Sequence, residues 1–343
     1  MNGASPSGLL IATHDLCWQH DPGPGHPERP RRLTAVRHGI ELSGVGDGVT
    51  WVEAPETPMA AVEAVHRPQL LARLDEIDRQ GGGELDADTW LSAHSLQAAR
   101  RAAGAGLDLI ERLDRGEAAA GWSMVRPPGH HATSGVSMGF CLINNVAVAA
   151  RALADRGERV AIVDIDAHHG NGTQDIFYTD PRVLFVSFHQ FPLYPHTGWP
   201  HEQGEGEGLG TTVNLAMPAR STGDSYRQGI AEVVAPVVER FAPTWLLLSV
   251  GFDAHRADPI TDLGLTAGDY ADIVGDLLPL APAGRRLLFL EGGYDLPALR
   301  DSAGAVAAVA LGEEFRPEAA SSGGPGAAAV ETARQIHLEG RLN

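Results

Sequence analysis

Val163-Asp164-Ile165-Asp166-Ala167-His168-His169-Gly170-Asn171-Gly172 is the stretch on which the reading of this chain turns. It follows Arg159 to Ile162, a short apolar run with the character of a buried strand. Carboxylates and imidazoles then crowd the point where that strand runs out. Parallel α/β sheets bind ligands just outside the carboxyl ends of their strands. Aspartate and histidine together suit a divalent metal such as zinc. The stretch therefore predicts a metal site at the top of a parallel sheet.

Working outward, similar runs recur at Leu9 to Thr13, Gly121 to Val125, Val183 to Phe188, Trp245 to Val250 and Arg285 to Leu290. Helical patterns separate them at Pro30 to Leu42, Ser92 to Leu113, Asn144 to Asp155, Gly223 to Phe241, Thr266 to Leu280 and Pro297 to Leu311. Such alternation predicts β–α–β crossovers and a largely parallel sheet covered by helices. No internal repeat or linker divides the chain before residue 312, so a single catalytic domain over 1–311 is expected. The remainder, 312–343, reads as a partly flexible tail: Ala319 to Ala329 is rich in Ala, Gly and Ser, with a short helix after it.

Composition narrows the partners. Twenty-six Lys and Arg stand against 44 Asp and Glu, a net charge of −18, which repels phosphate backbones and argues against nucleic acid. The same charge would favour a cationic substrate, and it is also a common solubility device. Two cysteines, Cys17 and Cys141, are too few for a disulfide framework or a cysteine zinc cluster. There is no secretory pattern at Met1 to Gly8 and no run of 18 apolar residues, so no membrane partner and a cytoplasmic location are expected.

The polar motifs fall at four strand ends: Arg126-Pro127-Pro128-Gly129-His130-His131, the opening stretch, Gly251-Phe252-Asp253-Ala254-His255, and Glu291-Gly292-Gly293-Tyr294. Asp166 and His168, two residues apart, can reach one ion from the same side, and Asp253 is the best third ligand. Three protein ligands describe a catalytic rather than a structural zinc site. His130 and His131 can act as a general base and its electrostatic partner, each needing an acceptor on its second nitrogen; Asp164 and Asn171 are the candidates. For that pair alone a polar loop is the competing reading. Tyr294 can donate its hydroxyl to an oxyanion. His169 is a further metal candidate that Asp253 displaces. His26-Pro27-Glu28-Arg29 reads as a helix start with a role at the rim. The acidic Gly204–Gly210 stretch reads as a surface loop, and the His-rich segment 188–201 as a pocket wall or solvated loop.

Taken jointly, HPERP at 26–30, RPPGHHA at 126–132, MGFCLINN at 138–145, VDIDAHHGNGTQ at 163–174, GFDAH at 251–255 and EGGY at 291–294 resemble the histone deacetylase superfamily, which includes bacterial amidohydrolases and acetylpolyamine amidohydrolases. The motifs run in family order over about residues 9–311. The resemblance implies an arginase/deacetylase-type three-layer α/β fold around a central, mostly parallel eight-stranded sheet. It implies zinc on Asp166, His168 and Asp253, with ferrous iron an alternative, and structural potassium held by Asp164, the backbone of Asp166 and His168, and Ser187. It implies a tunnel for an acylated lysine or small acylated amine, walled by Phe140 and Tyr194, with Ile260 and Asp88 (or Asp86) at its mouth and Arg32 at a product cavity. His131 would then be the base, His130 its support and Tyr294 the oxyanion donor. A catalytically silent acyl-binding member and a ureohydrolase are the competing classes. The oligomeric state stays open, a homo-oligomer included.

Overall fold

The computed structural model describes residues 6–340. Its strands are β1 (Leu9–Thr13), β2 (Val49–Glu53), β3 (Gly83–Asp86), β4 (Thr89–Leu91), β5 (Ala120–Ser123), β6 (Val160–Asp164), β7 (Val183–Gln190), β8 (Thr212–Met217), β9 (Trp245–Val250) and β10 (Arg286–Leu290). Eight of them form one sheet in the order β2-β1-β5-β10-β9-β6-β7-β8. Every pairing in it is parallel, so the sheet is fully rather than mostly parallel. β3 and β4 make a separate antiparallel hairpin.

The chemistry of the strands explains this arrangement. β6, β7 and β9 are buried along their whole length, as strands covered by helices on both faces must be. Among the helices that flank the sheet, Arg31–Leu42 and Ala267–Leu277 both pack on Leu296–Ala310, and Ser95–Asp114 packs on Asn145–Asp155. Two starts are chemically fixed: the Asn144 side chain accepts from the Ala147 N–H, and Thr266 with Asp269 closes a capping box. The expected helix 223–241 is interrupted by a π-helical turn at Ile230–Val234, one residue before Pro236, whose ring nitrogen cannot donate to the ladder.

One expectation changes. Glu28 is not at a rim: it is fully buried, and Arg126 Nη2 meets its Oε2 at 2.6 Å while Arg32 Nη1 meets its Oε1 at 2.9 Å. The stretch 319–329, read from composition as mobile, makes hydrogen bonds to the body. Thr266 Oγ1 donates to the Ala319 carbonyl at 2.8 Å, Ser321 N–H to Asp269 at 2.8 Å, and Gly324 N–H to Thr222 Oγ1 at 2.8 Å. The following helix, Ala327–His337, buries Val330 and Ala333 and lies against β8.

Candidate active site

The four motif-bearing strands, β5, β10, β9 and β6, are consecutive neighbours at the centre of the sheet. Because all run parallel, their carboxyl ends open on one rim, and their loops converge there.

Asp166, His168 and Asp253 are all buried, and a ligand atom of each lies within 4.8 Å of the others. His168 Nδ1 is 3.0 Å from Asp253 Oδ2 and 3.2 Å from Asp166 Oδ1. Backbone donors aim the carboxylates: Ala167 N–H reaches Asp253 Oδ1 at 2.8 Å, and Gly292 N–H reaches Asp166 Oδ2 at 2.8 Å. Burial and the Asp166 charge raise the Asp253 carboxyl above its usual range. Burial opposes a charged His168, yet Asp166 and Asp253 push it up to about 10. The pair of carboxylates thus draws positive charge into this spot. Glycine is required around it: a Cβ on Gly251 would lie 1.9 Å from Asp166 Oδ2, and one on Gly292 2.2 Å from Asp253 Oδ2.

His130 Nδ1 lies 2.9 Å from Asp164 Oδ2, and His131 Nδ1 lies 2.7 Å from Asn171 Oδ1. The two rings sit 4.0 Å apart between centroids. Burial works against a charge on His130, but Asp166, Asp164 and Glu291 hold it well above the ordinary imidazole value. Burial, reinforced by His130 and His168, holds His131 well below it. Asp164 faces Ser187 across the β6–β7 register. His169 turns away from the cluster, bonding Thr197 Oγ1 at 2.8 Å and Gln174 Oε1 at 3.0 Å.

A cavity of about 220 Å³ leads to these groups, lined by Asp88, His131, Phe140, His168, Tyr194, Ile260 and Tyr294 among others. Asp88, not Asp86, is on its wall; Asp86 Oδ1 instead accepts the Asp88 N–H at 3.0 Å. Tyr294 meets Phe140 edge-on at 5.8 Å and Arg32 at 5.0 Å from its ring centroid. Burial keeps its hydroxyl protonated by raising it well above the usual phenol value. Arg32 is fully buried beneath the tyrosine turn, and its Nε donates to the Gly293 carbonyl at 2.7 Å.

Two buried acids were given no role from the sequence. Glu291 Oε2 accepts the Gly129 and His130 N–H groups at 2.8 and 3.2 Å, joining two strand-end loops. Asp258 accepts the Tyr294 and Ile260 N–H groups at 2.7 and 3.1 Å. The available signals were a carboxylate closing an apolar strand, and an aspartate before a proline in a loop.

The profile of the histone deacetylase domain matches residues 26–310. A probable deacetylase of Archaeoglobus fulgidus is 39% identical over 292 residues, 83% of this chain and 81% of that protein. Histone deacetylase 15 of Arabidopsis thaliana is 37% identical over 320 residues, 91% of this chain and 57% of that longer protein. The crystal structure of the HDA15 HD domain superposes with a TM-score of 0.89 at 35% identity, covering 97% of this chain and 95% of that one. With its arginase/deacetylase-type fold and its motifs on four adjacent strand ends, the chain belongs to the histone deacetylase family.

Proposed function

We propose that the chain is a zinc-dependent deacetylase that hydrolyses an N-acyl amine such as acetyl-lysine. The observation that carries this reading is the meeting, at the foot of one tunnel, of a buried Asp-His-Asp cluster, two separately oriented histidines and a tyrosine hydroxyl. Asp166, His168 and Asp253 fit a divalent ion, since two carboxylates and an imidazole converge in a space whose charge attracts a cation. Ferrous iron accepts the same donors. Asp164 and Ser187 are the side chains for a structural potassium ion. When bound, zinc supplies Lewis-acid polarisation of the acyl carbonyl and acidifies water.

The chain's own groups do the rest. The Nδ1–H of His131 is committed to Asn171 Oδ1, an acceptor, which leaves Nε2 to take the proton from the attacking water and return it to the leaving amine. His130, tied to Asp164, stays beside it as electrostatic support. Tyr294 keeps its phenolic proton and donates it as a hydrogen bond to the oxygen that becomes anionic. Phe140 and Tyr194 grip the aliphatic arm, and Asp88 and Ile260 meet what remains outside. A small acetylated polyamine is the second reading, favoured by the net charge of −18 and by Asp88 at the wall, and weakened by the apolar Ile260.

The test is turnover of the zinc-loaded protein on acetyl-lysine peptides, acetylputrescine and acetylspermidine. Tyr294→Phe should lower kcat by about 100-fold on the best substrate, the loss of one oxyanion donor. No turnover of any of them with zinc confirmed bound would shift the reading to a silent acyl-binding member.

A further inference from the structure

Tyr294 stands on a turn, and a catalytic side chain on a turn is only as well placed as the backbone that carries it. Three contacts hold the glycines before it: Gly292 N–H to Asp166 Oδ2 at 2.8 Å, Phe252 N–H to the Gly292 carbonyl at 3.0 Å, and Arg32 Nε to the Gly293 carbonyl at 2.7 Å. The tyrosine's own N–H goes to Asp258 Oδ2 at 2.7 Å.

We propose that Asp258 is the positioning residue that sets Tyr294 for the reaction, and the inference rests on the oxyanion role assigned to that tyrosine. Asp258 is 7% exposed, so water competes little for its oxygens. Its second oxygen, Oδ1, accepts the Ile260 N–H at 3.1 Å, and its own N–H donates to the His255 carbonyl at 2.8 Å. The carboxylate is thereby fixed in orientation by the loop that follows Asp253, and it hands that orientation to a turn 36 residues further along the chain. The hydroxyl of Tyr294 sits at the far end of its ring, so a small rotation of the backbone at this residue becomes a larger displacement of the oxygen. Only an acid serves here: each oxygen faces an N–H donor, and an amide in the same place would turn its NH₂ against one of them. Asp258 touches the tyrosine's backbone and does not line the cavity.

The experiment is a double-mutant cycle on the zinc-loaded protein with an acetyl-lysine peptide, comparing D258N, Y294F and the double variant. D258N should lower kcat by about 10- to 100-fold, the scale expected of a displacement near 1 Å. KM, zinc content and the melting temperature should stay near those of the parent. In the Y294F background D258N should produce almost no further loss, because the group it positions is already gone. Parent-level kcat in D258N, or penalties that multiply in the double variant while Y294F alone is slow, would overturn the inference and leave the tyrosine's role intact. Parent-level kcat in Y294F would overturn that role and the inference with it. Should D258N fail to fold, D258S, which keeps a single acceptor, enters the same cycle and is read by the same outcomes.

Discussion

His130 and His131 are neighbours in the chain, yet their surroundings drive them in opposite directions. Three carboxylates push the first toward its charged form, and burial beside two other imidazoles pushes the second toward its neutral form. The orienting acceptors differ in the same sense, a carboxylate for His130 and an amide oxygen for His131. Replacing Asn171 by leucine removes the acceptor that fixes the His131 tautomer, and should lower kcat by about 10- to 100-fold while circular dichroism stays unchanged. At this scale the sequence showed which residues could carry chemistry, because Asp, His and Tyr at strand ends have few other uses in such density. Asp258, Glu291 and Glu28 were not legible. Their work is to receive N–H groups or guanidinium groups from distant segments, and residue type alone does not announce that.

Six strands were readable as apolar runs, and β1 and β9 have the bounds their patterns suggest. The two sheet strands that escaped notice, β2 and β8, are the edges. β2 has only partly buried and exposed side chains, and β8 carries Asn214 in its middle, so neither shows a continuous apolar signature. Loops between elements are held by single buried groups, and His66 is one of them. Its Nε2 accepts the Asn144 N–H at 2.9 Å at the start of the helix Asn145–Asp155, and its Nδ1–H donates to the Thr133 carbonyl at 2.9 Å. Burial lowers its pKa from 6.5 to about 4, so folding favours the neutral ring. That stabilisation is complete above about 6.5 and is lost as pH falls toward about 4. Between pH 6.5 and 5 the parent should lose about 2 kcal/mol more than His66→Gln in urea unfolding at fixed ionic strength. Parallel curves for the two proteins would show that His66 does not titrate in this way.

For the whole molecule, the class of fold followed from alternation of strand and helix, whereas the placing of the C-terminal segment did not. Composition spoke for mobility at 319–329. The contacts that place the segment are long-range: Glu318 meets His255 at 2.7 Å and accepts the Ala267 N–H at 2.9 Å. The helix Ala327–His337 then lies against the edge strand β8. Deleting residues 312–343 should bare that edge, lower the melting temperature by several degrees and promote aggregation on heating, measured by calorimetry and light scattering. An unchanged melting temperature would mean that the segment is a passenger.

The order of the central strands also has a consequence for how the protein comes into being. β5 pairs with β10, whose partner residues Gly121 and Leu287 are separated by nearly half the chain, and β9 joins β10 to β6. During synthesis the middle of the sheet therefore stays open until residue 290 has left the ribosome. Neither the Gly292 donor to Asp166 nor the tyrosine turn exists before then. The Asp166-His168-Asp253 cluster therefore reaches its finished geometry only once β10 has paired, and the proposed hydrolysis requires that strand.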